Sequence, residues 1–253
     1  MKAIENNLVR RAVALIFLVL AASCSPGESE LDRILKLQAE ATGSLPPGTL
    51  ITLEGTITEP GWDDPVAIRF EAMKPGMVRL SRGSGDSIFQ EGYDGSRAWE
   101  QLGASSRASG AEGLAEEAIR HMAEWLLGMR SLLELKTDRG ASIQLIDEDY
   151  LFPVDKGLIG LRITLADGFI EDVFLDPESY LIVKKRVSKS LRMWLATENF
   201  DTHFLDFQQH GPLMIATVRE EHRSTDDAVV QRTDLQDITY TPMADSAYFA
   251  MPE

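Results

Sequence analysis

The chain has 253 residues, 44% of them hydrophobic and 26% charged, with a formal net charge of −15 at pH 7. The apolar content is enough for a packed core and excludes general disorder. The excess of acid repels phosphate backbones and anionic lipid surfaces, which excludes a nucleic-acid partner and a basic membrane patch.

In chain order, the N-terminus comes first. Lys2, Arg10 and Arg11 precede an unbroken apolar run at residues 12–22. A stable span needs about 20 such residues, so the run fits the core of a signal peptide. The small residues Ala21, Ala22 and Ser23 follow, then Cys24, the only cysteine. A lone cysteine excludes a disulfide within one chain. This end resembles a bacterial lipobox, in which the cysteine is lipidated and becomes the new N-terminus, although Ala21 stands where that pattern has leucine. A plain secreted protein cut at the same bond is the other reading. The expected organisation is a signal peptide at 1–23, a tether at 24–30 and one domain at 31–253. Ser25 is not the aspartate associated with inner-membrane retention, so the periplasmic face of the outer membrane is the expected location.

Leu31, Ile34, Leu35 and Gln38 recur at helical spacing and predict a helix over residues 30–41. Gly43 stops it and Pro46-Pro47-Gly48 prevents its return. Alternation then predicts a meander. Ile51, Leu53, Gly55 and Ile57 share one face of a strand, and Val66, Ile68, Phe70 and Ala72 share one face of the next. Shorter strands carry Val78 and Leu80, Ile88 and Phe89, and Ala98, Trp99 and Leu102, with turns at Pro75-Gly76, residues 83–86 and Asp94-Gly95. After a small-residue loop at 103–113, a helix is predicted over 114–135. Its apolar stripe is Ile119, Met122, Leu126, Met129 and Leu133, and Gly128 lies within it. Strands are then predicted at 142–146, 158–165, 169–175, 180–187, 213–218 and 229–240. The pattern is α+β: a long antiparallel sheet, bent or closed into an open barrel, with helices on one face.

Four stretches, in order, resemble the outer-membrane lipoprotein-sorting (LolA/LolB-like) superfamily. They are Tyr93-Asp94-Gly95-Ser96-Arg97-Ala98-Trp99, the turn from Leu175-Asp176-Pro177 to Lys184, His210-Gly211-Pro212-Leu213-Met214-Ile215, and Asp245-Ser246-Ala247-Tyr248-Phe249-Ala250-Met251-Pro252. In the third, Gly211 and Pro212 are adjacent where the family has intervening residues. The resemblance covers about residues 30–252. It implies a strongly curved antiparallel sheet, an open half-barrel whose concave face is covered by helices, with acyl chains of lipoproteins or lipids bound between them.

Acyl binding needs an apolar cavity, worth about 0.8 kcal/mol per buried methylene, and methionine makes an adaptable wall. The candidate walls are Leu53, Ile68, Phe70, Leu80, Trp99, Met122, Leu126, Met129 and Leu133. The competing reading of the helical stripe, and of Trp99, is ordinary core packing. Enzymatic motifs are missing from the sequence: no G-x-S-x-G elbow, no H-E-x-x-H and no phosphate-binding glycine loop. His121, His203, His210 and His222 show no compact ligand spacing. The expectation is therefore a monomeric, lipid-anchored carrier or binding protein without catalytic residues, metal or cofactor. An envelope sensor or interaction module on the same fold is the alternative, and a hydrolase comes last.

Overall fold

The computed structural model describes residues 29–74, 76–103, 106–125, 130–187, 200–242 and 245–252. The expected signal peptide, Cys24, Leu126 and Met129 lie outside the described residues. The chain divides into two units, Met1–Ile34 and Leu35–Glu253.

Helix α1 covers Glu30–Thr42. The Asp32 amide donates to Ser29 Oγ at 3.1 Å, satisfying one orphan donor at the helix start. Gly43 ends it with φ +79, a left-handed conformation that costs glycine little. A Cβ on Gly43 would lie 1.9 Å from the Pro212 carbonyl oxygen, so only glycine lets this chain end meet the strand that begins at Leu213.

Six strands follow: β1 (Thr49–Thr58), β2 (Val66–Met73), β3 (Met77–Arg82), β4 (Phe89–Tyr93), β5 (Ala98–Leu102) and β6 (Ser109–Gly110). Then come helices α2 (Leu114–Trp125) and α3 (Leu132–Asp138). Seven strands complete the described chain: β7 (Ser142–Leu145), β8 (Ile159–Thr164), β9 (Ile170–Leu175), β10 (Ile182–Val187), β11 (Phe200–His210), β12 (Leu213–Arg223) and β13 (Val229–Pro242). All form one antiparallel sheet in the order β6-β5-β4-β3-β2-β1-β13-β12-β11-β10-β9-β8-β7. Two meanders are thus joined where β1 pairs with β13, and β6 and β7 are the two edges. Because α2 and α3 connect β6 to β7, the chain must cross from one edge to the other there. That crossing brings the helices over one face of the sheet.

The quoted sequence motifs build turns and a latch. Asp94 Oδ1 accepts from the amides of Ser96 at 2.8 Å and Arg97 at 2.7 Å, closing the turn before β5. Asp176 Oδ1 accepts from the Ser179 amide at 2.7 Å and the Glu178 amide at 3.2 Å in the turn before β10. The C-terminal stretch folds onto Trp99, whose indole N–H donates to the Phe249 carbonyl at 2.9 Å. Phe249 itself is fully buried against Leu50, Met73 and Met77. Gly92 makes room: a Cβ there would lie 2.5 Å from the Trp99 ring.

Two elements differ from the expectation. Where one helix over 114–135 is predicted, a second helix begins at α3, because Ser131 caps it. Ser131 Oγ accepts from the Glu134 amide, and Glu134 reaches back to the Ser131 amide, a reciprocal capping box. Strand β11 is not predicted at all. Asp206, at φ 50, interrupts its alternation, so no period of two is visible through it.

The junction at Gly43 generates a test. Gly43→Ala should lose more than the about 1–3 kcal/mol of left-handed backbone strain, because of the Pro212 oxygen. Gly61→Ala, at φ +92 with nothing within 4 Å of the added carbon, should lose the strain alone. Urea unfolding of both variants measures the difference, and equal losses would show that the approach to Pro212 is not tight.

Candidate functional site

Strands β1, β2 and β3 set one face of the site by their register. Leu53 lies opposite Phe70, and Phe70 opposite Leu80, so these three share a face. On that face, Ile57 and Ile68 continue along β1 and β2, while Thr233 and Leu235 come from β13, opposite Ile57 and Gly55. Arg219 of β12 is opposite both Thr233 and Phe204. These residues and Ala118, His121 and Met122 of α2 line one cavity of about 330 Å³. Leu181, Ile182 and Lys185, in and just before β10, close another side. In the sheet order, β3 and β10 are six strand spacings apart, ~29 Å of arc at ~4.8 Å per spacing. They can flank one small cavity only if the sheet curls around it.

Comparison of the sequence with family models and with curated proteins finds no match. Solved structures do match. A LolA superfamily protein from Nitrosomonas europaea superposes with a TM-score of 0.56 at 11% identity, covering 86% of this chain and 96% of that one. A putative outer membrane lipoprotein-sorting protein domain from Vibrio parahaemolyticus gives 0.54 at 12% identity, covering 85% and 94%. A DUF1329 family protein from Desulfovibrio piger gives 0.54 at 12% identity, covering 86% and 96%.

The chain has a LolA-like fold. Its unclosed thirteen-stranded antiparallel sheet is the half-barrel of that fold, with helix α2 on the concave side.

Within the LolA-like cavity the structure brings together Leu53, Ile68, Phe70, Leu80 and Met122 from the predicted walls. Leu126 and Met129 lie outside the described residues. Leu133, on α3, is half-buried but does not line the cavity. Trp99 is corrected: it belongs to the other face. It pairs with Gly92, Gly92 with Arg79 and Arg79 with Glu71, a row adjacent to and opposite in facing from Phe70 and Leu80. Its alternation was right, but a strand's facing cannot be read without its neighbour.

Polar lining residues were missed in the sequence. Arg82, His121, Lys185, Thr202, Arg219, Glu221 and Gln231 all face the cavity. The signal was present in β12, where Leu213, Ile215, Thr217, Arg219 and Glu221 alternate on one face. Ending that strand at Val218 discarded its polar half. His121 Nε2 lies 2.6 Å from Glu171 Oε1, and Lys185 Nζ lies 3.2 Å from the same oxygen. Burial pushes the Glu171 carboxyl up, but Lys185 and His121 outweigh it and hold the group below its usual range.

On the outer face, the absence of a compact histidine grouping is also corrected. Antiparallel pairing of β11 with β12 stacks His203 on His222 with ring centroids 4.1 Å apart, and Asp227 completes a group of donors within 4.8 Å. His222 already contacts Asp227 at 3.0 Å through Nδ1 and Glu220 at 3.1 Å through Nε2. The rings are nearly parallel, at 12°, and the hydrogen bonds of the pair are made by His222.

A closed ionic cluster locks β10 to β11. Asp155 bonds Lys184 at 2.8 Å and Arg186 at 2.9 Å, and Asp201 bonds both at 2.7 Å. Burial raises the Asp201 pKa, but hydrogen bonds from Arg186 and Lys184 outweigh it, leaving it below 3.8. A depressed carboxylate contributes fully above its unfolded pKa and loses that contribution as pH falls through the folded one. Asp201→Asn should therefore cost about 3–5 kcal/mol at pH 7, as for breaking a buried pair. The gap to wild type should narrow as pH falls below 3.8. Thermal unfolding from pH 7 to pH 3 tests this, and a constant gap would show that Asp201 does not carry the linkage.

Proposed function

We propose that this protein is an exported, lipid-anchored binding protein or carrier for acyl chains, acting in lipoprotein sorting or lipid handling at the cell envelope. The single observation that carries the reading is the cavity between α2 and the concave face of the sheet. Its inner wall is Leu53, Phe70, Leu80 and Ile215, all buried, yet about 330 Å³ beside them is unfilled. Protein interiors normally pack without voids larger than a water molecule, and an apolar space of this size belongs to the range of small-molecule sites. The role is one of binding rather than catalysis. One matching structure is titled as a lipoprotein-sorting domain, which supports acyl chains as the cargo class.

In this proposal residues 1–23 are a signal peptide, residues 24–30 a tether and residues 31–253 one domain, monomeric and held at the outer membrane by diacylated Cys24. Among the described residues no helix is long and apolar enough to cross a membrane. Acyl chains alone give such anchoring when two act together.

Two experiments follow. Native mass spectrometry of the purified protein should show co-purified lipid, and Met122→Trp should remove it. Met122 is half-buried on α2 at the cavity. A ring directed into open space should shift unfolding little, whereas in a full core it would overpack by about 1–3 kcal/mol. A lipid-free wild type together with a strongly destabilised Met122→Trp would mean that the helix simply packs on the sheet. Separately, Cys24→Ala should move the protein from the detergent to the aqueous phase on cell fractionation, and equal partitioning would eliminate the anchor.

A further inference from the structure

The cavity is not uniform along its length. On β3, β12 and β13 polarity rises in one direction, while β1 and β2 contribute apolar residues alone. Leu80 gives way to Arg82 on β3, and Ile215 to Arg219 and Glu221 on β12. On β13, Leu235 gives way to Thr233 and then Gln231. Antiparallel register gives these strands one direction: Glu221 is opposite both Thr202 and Gln231, Arg219 is opposite Thr233, and Arg82 is one step short of them, in the row that runs through Ile68 and Gly55 to Leu235. Lys185 is opposite Thr202, which extends the row Lys185-Thr202-Glu221-Gln231 across four strands. From Ile215 to Glu221 the wall runs ~20 Å at ~3.4 Å per residue.

At the polar end Arg82, Lys185, Thr202, Arg219, Glu221 and Gln231 are all half-buried. Three cationic side chains line that end, against Glu221 as the carboxylate among the lining residues. Glu221 is raised by burial and by Glu59, against the pull of Lys185 and Arg82, which weakens it as a counter-charge. Burial lowers Arg219 to about 10, still cationic at neutral pH. Arg82 contacts Glu91 at 3.4 Å and Lys185 contacts Glu171 at 3.2 Å, so the cations do not stand uncompensated.

We infer that the cavity takes an anionic single-chain amphiphile, its carboxylate or phosphate head held at Arg82, Lys185 and Arg219 and its chain on the apolar wall. This inference rests on the acyl-binding reading and adds the head chemistry and the orientation of the bound chain. A volume near the bottom of the range for small-molecule sites matches one chain rather than several. At that end a carboxylate or phosphate head would make charge-assisted bonds to the three cations, while the chain lies along Leu53, Phe70, Leu80 and Ile215.

Isothermal titration with dodecanoate, dodecyl phosphate and the neutral dodecanol tests it on the purified protein. At least one anion should bind about tenfold or more tightly than dodecanol, a difference worth about 1.4 kcal/mol. The tighter of the two anions distinguishes a fatty-acid head from a phospholipid-type head. Arg219→Gln should remove most of that preference and leave dodecanol binding nearly unchanged. Since Arg219 is deep in the sheet, Arg82→Gln at the rim serves as a second variant, with a smaller loss in the same direction. If dodecanol matches the anions, or both variants keep the full preference, the head site is wrong while acyl binding stands. If none of the three ligands binds, both readings fall.

Discussion

The constraint on which the structure depends is that a long antiparallel sheet with two free edges must curl and have its concave face covered. Thirteen strands do not stay flat, since each neighbour pair adds twist. The curl gathers Leu53, Phe70, Leu80 and Ile215 onto one inner surface, which water would penalise. The edge-to-edge connection carries α2 across that surface, and Thr42 at the end of α1 joins α2 in lining the cavity that remains. The site is therefore a consequence of topology before it is a matter of particular residues.

Other devices keep the half-barrel from relaxing. The β1–β13 pairing joins the first strand to the last, and the C-terminal stretch then bonds back to Trp99 on the outer face. Gln38, fully buried, ties α1 to α3 by accepting from the Leu132 amide at 2.9 Å. On the far side, Asp155, Lys184, Arg186 and Asp201 balance two cations with two anions. Such a cluster is weak evidence for net stability, because dehydrating four charges offsets much of their attraction. Its geometry does fix the register of β10 and β11, and Lys185 lies between its two cations on the strand, facing the cavity instead. The outer cluster thus positions an inner-face charge.

The motifs that resemble the lipoprotein-sorting superfamily report architecture. Asp94 and Asp176 close turns with their carboxylates, and the Asp245–Pro252 stretch latches onto the sheet. The aspartates and the latch supply no wall of the cavity, although Leu181, Ile182, Met214 and Ile215 beside them do. That is why a fold could be recognised at 11–12% identity to solved structures while the ligand could not, since turn chemistry is demanded by the backbone and cavity lining is free to vary.

By itself, the sequence determined what depends on local chemistry. Apolar spacing placed α1 to within a residue, Gly43 and the prolines ended it, and alternation placed most of the strands. Periodicity grouped Leu53, Phe70, Leu80 and Met122 with other apolar residues on one face of each element, but did not show which face turns inward. Tertiary structure alone decided the rest. Which face of β5 turns inward, and so the location of Trp99, depends on its pairing with β4. Strand β11 was hidden because Asp206 breaks its period, and it exists because β10 and β12 supply its hydrogen bonds. The cap of α3 is an exception, since Ser131 and Glu134 form a local capping box that the sequence already carried. The polar end of the cavity could not be read from spacing, because Lys185, Thr202, Glu221 and Gln231 come from four strands. They become neighbours only through long-range register, which no local pattern encodes.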